Sequence, residues 1–225
     1  MGVVTAKLPV NMIITGPPAA GKGTQAERVS AGRGVPKIST GEMLREAIQQ
    51  GTELGRRAKA TMERGELIGD DLMIDIVRQR LDRPDARTGF VLDGFPRTVA
   101  QAKALDHMVV GRGALVVIEI DVPAQELMRR MAARRICRTC GANAESGDVK
   151  CRRCGGDLVL RSDDEDASVR DRRLQVYARE TEPIVSYYRS RPTFRSINGA
   201  QSPDRVAEDV GEAIDSALET AGSTS

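Results

Sequence analysis

A short apolar run, Val10-Asn11-Met12-Ile13-Ile14-Thr15, leads into Gly16-Pro17-Pro18-Ala19-Ala20-Gly21-Lys22-Gly23-Thr24 and then into a polar, helix-forming stretch. No other feature limits the fold so tightly. A β-branched apolar run of this length suits a strand buried on both faces. The pattern G-x-x-x-x-G-K between a strand and a helix is the core of a phosphate-binding loop. Its glycines let backbone N–H groups approach an anion, the helix N-terminus adds its positive end, and Lys22 supplies a full charge for the β and γ phosphates. The Ser or Thr that usually follows the lysine is replaced by Gly23, and a hydroxyl comes one residue later on Thr24. A hydroxyl on Mg²⁺ therefore cannot be read directly from this loop.

The rest of the chain repeats the strand-then-helix alternation. Thr24 to Val29 predicts a helix, which Gly32 and Gly34 should stop. Residues 40–68 are helical in pattern, polar and punctuated by Gly51, Gly55, Gly65 and Gly69, as a small helical insertion would be. A helix is expected through Leu72, Ile76 and Leu81, a second buried strand at Phe90-Val91-Leu92, and a third from Ala114 to Ile120. Helices follow at 125–135 and 169–189, then a short strand at 195–197. Val206, Val210, Ile214 and Leu218 lie four apart on a closing amphipathic helix. Alternation of this kind implies an α/β fold with a mostly parallel sheet, whose ligands bind at the carboxyl ends of the strands.

Composition closes off several function classes. The 225 residues carry a net charge of +2, so no global field draws the chain to nucleic acid or membrane. Aromatic residues make up 3% of the chain, too few for base-stacking platforms. No run is long and apolar enough for a membrane span, and the N-terminal residues do not read as a signal peptide, so the expected location is cytoplasmic. The single histidine, His107, reads as a surface or capping residue, which leaves no His/Asp arrangement for hydrolase chemistry.

Four cysteines form two C-x₂-C-G knuckles, Cys137-Arg-Thr-Cys140-Gly141 and Cys151-Arg-Arg-Cys154-Gly155. Four thiolates at this spacing suit a closed tetrahedral site, for structural Zn²⁺ or for iron. A closed shell has no position for substrate, so the ion would hold together a lobe too small for its own core.

Three motifs together resemble the adenylate kinase family. They are Gly-x-Pro-x-x-Gly-Lys-Gly-Thr at 16–24, Ile38-Ser39-Thr40-Gly41-Glu42-Met43-Leu44-Arg45, and Asp93-Gly94-Phe95-Pro96-Arg97-Thr98. The resemblance runs in order from about residue 11 to 218. It implies a P-loop core at 1–38, 69–133 and 165–225, an AMP-binding insertion at 39–68 and a zinc-binding lid at 134–164. It further implies reversible transfer of the ATP γ-phosphoryl group to AMP, with Mg²⁺ accompanying ATP, in a monomer that engages only small nucleotides. Ala19, Ala20, Gly21, Lys22, Gly23 and Thr24 would then hold the ATP phosphates, Arg130 would pack on its adenine, and Gln201 would touch that base through its backbone. Thr40, Arg45, Glu66, Leu67, Ile68, Gly94, Phe95, Pro96, Arg97 and Gln101 would hold AMP. Arg134, Arg161 and Arg172 would close on the transferring group, the last two also reaching AMP. Asp163 and Asp164 would brace them, and Asp93 would organise Mg²⁺ through water.

The segment between the cysteine pairs is shorter than the family pattern, and Asn143 and Ala144 stand where lid residues would meet ATP. Two other readings fit the same residues: a kinase for GMP or UMP, and a P-loop ATPase whose cysteine ribbon binds nucleic acid. Fast ADP formation with AMP separates the first, and salt-dependent binding to RNA or DNA the second.

Overall fold

The structure, a computed structural model, describes residues 10–144, 147–161, 164 and 166–222. Residues 1–9 and 223–225 at the ends of the expected core, and Asp163 of the expected lid, lie outside the described residues. Strands β1 (Asn11–Thr15), β2 (Lys37–Ser39), β3 (Phe90–Asp93), β4 (Leu115–Asp121) and β7 (Phe194–Asn198) form one parallel sheet in the order β2-β3-β1-β4-β7. The strand that feeds the phosphate loop is thus central, with β3 and β4 as its two neighbours.

Alternation along each strand builds a core on both faces. Met12 and Ile14 of β1 pack with Val91, Val116, Ile118 and Ile120 on one face, against α1 (Lys22–Arg33) and α9 (Pro203–Gly222). Ile13 joins Phe90, Leu92, Leu115 and Val117 on the other, against α4 (Asp70–Leu81), α5 (Val99–Met108) and α8 (Glu182–Tyr188). Truncating a fully buried strand residue such as Ile118 should cost about 2–5 kcal/mol through lost transfer energy and a residual cavity.

Several elements differ from the sequence expectation. Helix α1 runs past Gly32 and stops at Gly34, whose φ of 66° makes the left-handed cap. The insertion is two helices, α2 (Thr40–Gln49) and α3 (Glu53–Glu63), whose axes meet where Gly55 lies against the backbone of Ala47. A Cβ on Gly55 would stand 2.1 Å from the Ala47 carbonyl oxygen. His107, by contrast, is exposed in the last turn of α5, as the surface reading expects. The helix expected at 169–189 is α7 (Ala167–Val176), a π-helical turn at Tyr177–Thr181, and α8. The cysteine segment contains a short antiparallel pair, β5 (Arg135–Cys137) with β6 (Leu158–Leu160), reached from α6 (Ala124–Ala133). No helix among the described residues is long and apolar enough to cross a membrane.

Candidate active site

Strands β1, β2 and β3 and the loop after β7 meet one cleft of about 1010 Å³ at the carboxyl edge of the main sheet. That is the upper limit of a pocket for one small molecule. The phosphate loop forms its floor. Gly16 (φ 137°), Ala19 (φ 63°) and Gly21 (φ 100°) turn the loop through positive-φ positions, and the Ala20 N–H donates to the Pro17 carbonyl (3.2 Å). Gly16 also passes so near β4 that a Cβ would lie 2.4 Å from the Ile120 carbonyl oxygen. Lys22 closes the loop on itself, with Nζ donating to the carbonyls of Gly16 (2.8 Å) and Pro17 (2.7 Å). Burial of this ammonium lowers its pKa from 10.5 to about 7, with Asp93 opposing the shift and Arg97, Arg134 and Arg173 adding to it. Ala20, Gly23 and Thr24 complete the floor.

Asp93, at the end of β3, accepts a hydrogen bond from Ser39 Oγ at 3.1 Å. A Cβ added at Gly23 would point at Asp93 Oδ2, 3.4 Å away. Asn143 Nδ2 lies 3.2 Å from the same point. The Asp93 carboxylate and the Ser39 hydroxyl are hard oxygen donors that fit Mg²⁺.

A second, arginine-bearing end lies across the cleft. Gly94 (φ 82°) lets its own carbonyl accept from Thr40 Oγ1 (2.9 Å) and Arg97 Nε (2.8 Å) at once. The Arg97 N–H donates to Gln101 Oε1 (2.7 Å), and Gln101 Nε2 donates to Asp70 (2.8 Å), which also accepts from Thr98 Oγ1 (2.9 Å). Asp70 escaped the sequence reading; its position at the start of α4 was the only signal available. The Arg45 guanidinium folds over Gly41, where any Cβ would crowd it at 3.2 Å. Thr40, Glu66, Leu67, Ile68, Gly94, Arg97 and Gln101 border a side chamber of about 60 Å³ that opens from this end. Phe95 is different: its ring is 1% exposed and belongs to the core, beside the cis Phe95–Pro96 peptide. Pro96 borders the main cleft.

At the cysteine side, Asp164 gathers arginines from the C-cap of α6 and from α7. It is 2% exposed and accepts from Arg134 Nε at 2.7 Å and from Arg173, while its carbonyl accepts from Arg170 at 2.6 Å. Arg161 is buried nearby and joined to Arg134 through the backbone (3.1 Å). The expectation for Arg172 is corrected here. Its side chain is half exposed and meets Glu66 at 3.4 Å, outside the cleft, while Arg173 lines the cleft and the side chamber. Adjacent helical residues point about 100° apart, so only one of the pair can face inward. Gly65 marks which one: a Cβ there would lie 2.7 Å from the Arg173 stem.

The far wall includes Arg130, Gly199, Ala200, Gln201 and Pro203. Arg130 is held by Glu126 (2.7 Å) and by the Gly199 carbonyl (2.9 Å). Gln201 turns its side chain away to Asn198 and Asp209, which leaves its backbone along the cleft.

The four cysteine Sγ atoms lie within 4.8 Å of one another. Cys137 and Cys154 are 3.4 Å apart at sulfur, and Cys140 and Cys151 are 3.6 Å apart. Tetrahedral zinc with Zn–S of about 2.3 Å needs S–S edges of about 3.8 Å, so the donor set fits a four-coordinate ion. The two knuckles share one fold. Gly141 and Gly155 donate to the Cys137 and Cys151 carbonyls (2.9 and 2.8 Å), and both glycines have positive φ.

A phosphate loop, a second arginine-rich anion end and one cleft joining them define a P-loop kinase of nucleoside monophosphates. The adenylate kinase family model matches residues 14–193. An adenylate kinase of Archaeoglobus fulgidus is 47% identical over 213 residues, covering 91% of this chain and 97% of that protein. Adenylate kinases of Moorella thermoacetica and Methanocella arvoryzae are 46% and 45% identical, each over 91% of this chain and 98% of theirs. The chain belongs to the adenylate kinase family.

Proposed function

We propose that this protein transfers the γ-phosphoryl group of ATP to AMP, reversibly, giving two ADP. The observation that carries the reading is the single cleft that joins the phosphate loop to the Thr40–Gly94–Arg97 end. ATP takes the loop end, with Ala19, Ala20, Gly21, Lys22, Gly23 and Thr24 around its phosphates and Arg130 and the Gln201 backbone at its base. AMP takes the other end, with Arg45 and Arg97 on its phosphate and residues 66–68 and Gln101 along its nucleoside. The chain divides accordingly into a core, an AMP-binding insertion at 39–68 and a lid at 134–164.

Phosphoryl transfer needs alignment and charge neutralisation more than covalent help. Lys22 and the loop N–H groups take the donor phosphates. Arg97, Arg134, Arg161 and Arg173 face the space between the two ends and stabilise charge as it spreads over the moving group. A phosphate oxygen of AMP attacks unaided, since it carries no proton that must be removed. Closure of the lid excludes water, so the group passes to AMP and not to solvent. Asp93 would hold Mg²⁺ through water, and that ion supplies further neutralisation of the donor phosphates when bound. Cys137, Cys140, Cys151 and Cys154 would hold Zn²⁺, which would shape the lid without a part in the transfer. Reduced cysteines paired for a metal support a cytoplasmic setting. The enzyme acts as a monomer on small nucleotides, without nucleic acid or membrane.

The test is a coupled assay with MgATP and each of AMP, GMP, CMP and UMP. Fast ADP formation with AMP alone is expected. Equal or faster turnover with GMP or UMP would replace the acceptor, and ATP loss without any acceptor would overturn the kinase reading.

A further inference from the structure

Asp70 opens α4 and is tied by hydrogen bonds to the start of α5. Its Oδ1 accepts from Gln101 Nε2 at 2.8 Å, and its Oδ2 accepts from Thr98 Oγ1 at 2.9 Å. The Thr98 hydroxyl, its proton given to Asp70, accepts from the Gln101 N–H at 3.2 Å. Gln101 Oε1 in turn accepts from the Arg97 N–H at 2.7 Å. A carboxylate only accepts and a backbone N–H only donates, so the nitrogen branch of Gln101 must face Asp70 and the oxygen branch must face Arg97. Turning the carboxamide over would set oxygen against carboxylate at one end and N–H against N–H at the other. The two anchors therefore leave this side chain one orientation. Each end keeps one further position, a second N–H at Nε2 and a second lone pair at Oε1. Gln101 borders the side chamber, which is apolar along Leu44, Met62, Leu67, Ile68 and Met73. An apolar chamber with an oriented amide at its border suits a base read along one edge.

On the adenylate kinase reading of the cleft, on which this inference rests, that base belongs to the phosphoryl acceptor. The geometry points to Asp70 as a positioning residue that selects the acceptor purine through Gln101. Adenine presents a ring-nitrogen acceptor beside an amino donor, which the fixed carboxamide matches with its free N–H and lone pair. A 6-oxo purine reverses both and meets like with like. Asp70 lines neither the cleft nor the side chamber, so it acts only through the side chain it holds.

The experiment measures kcat and KM for AMP and for IMP (6-oxo), with MgATP, in wild type, Asp70→Ala and Asp70→Asn. Asp70→Ala should lower the AMP-to-IMP ratio of kcat/KM about tenfold, mainly through KM. Asp70→Asn should bring the ratio back to within about threefold of wild type, because its amide oxygen still accepts from Nε2 while its nitrogen donates to Thr98 Oγ1. Both variants lose the negative charge at the start of α4, so an equal loss of ratio in both would assign the effect to the helix terminus and overturn the proposal. An unchanged ratio in Asp70→Ala would overturn it too. Should Asp70→Ala not fold, binding of AMP, purine riboside monophosphate (no 6-substituent) and IMP to wild type decides, and any order other than amino, unsubstituted, oxo refutes a fixed carboxamide. A wild type that makes no ADP from MgATP and AMP would instead sink the enzyme reading, so the two failures are distinct.

Discussion

Arg172 and Arg173 offer a sharp test, because the two neighbours carry the same charge and face different surroundings. Arg173 has a side chain 12% exposed, contacts the Asp164 carboxylate and lines the cleft. Arg172 has a side chain 50% exposed and a loose pair with Glu66 at 3.4 Å. Removing a preorganised donor aimed at developing charge costs about 3–4 kcal/mol, or 10²- to 10³-fold in kcat. An exposed ion pair contributes about 0–1 kcal/mol, so its loss moves rates by less than about fivefold. Arg173→Ala should therefore lose at least about a hundredfold in kcat, and Arg172→Ala should stay near wild type. Arg173→Lys keeps the charge but loses the planar fork, and should fall between them. Steady-state turnover with MgATP and AMP, alongside thermal unfolding to confirm folding, measures all three. A larger loss in Arg172→Ala than in Arg173→Ala would refute the assignment of the inward-facing arginine.

Three further outcomes follow from the same geometry. Burial holds the Lys22 pKa near 7 in the free enzyme against 10.5 when unfolded, so the unfolded chain binds the extra proton between those values and stability rises with pH across that window. A bound triphosphate restores the ammonium, so at pH 8 ATP binding should take up about one proton, read by calorimetry in buffers of different ionisation enthalpy; zero uptake by wild type would contradict the enclosed ammonium. Chelation of metal, or Cys137→Ser, should lower the melting temperature by about 5 °C or more and weaken closure over ATP, while leaving the main sheet folded; an unchanged melting curve would argue against a structural ion. Gly94→Ala would force a Cβ into a left-handed position 2.9 Å from Thr40 Oγ1 and 3.0 Å from Arg97 Nη2, so KM for AMP should rise at least about tenfold with ATP affinity preserved; equal effects on both nucleotides would count against separate ends.

The phosphate loop could be read from the chain because its geometry is local: strand, turn, lysine and helix are consecutive. The buried strands β1, β3 and β4 were equally legible as apolar runs. Strand β2 was not, because Lys37–Ser39 is three residues long and extended only through pairing with Val91, Leu92 and Asp93. Gly32 was read as a helix stop, yet propensity yields there to packing, and the stop is the left-handed Gly34. Helical phase explains the Arg172 error. Spacing along the chain brings either arginine to the right place, while only the contact with Gly65 and Asp164 decides which one turns inward. Phe95 shares the 93–98 motif with the residues at the AMP end, while its ring joins the core.

Charge explains why these scattered residues act as one site. Lys22, Arg97, Arg134 and Arg173 are close enough that the three arginines push the lysine toward neutrality, and Asp93 resists. Asp164 offsets Arg134 and Arg173 from the opposite side, and its burial strengthens those contacts. Two carboxylates against four cations leave a surplus of positive charge at the centre of the cleft. A polyphosphate bridging both ends supplies the balancing charge, whereas a single monophosphate can satisfy only one end. Arg134 leads directly into β5 and Asp164 follows β6, so neutralisation at the centre also draws on the two strands that carry the cysteine lobe. On the proposed function, binding of both substrates and closure of that lobe would draw on the same charges, which would tie exclusion of water to the presence of donor and acceptor together.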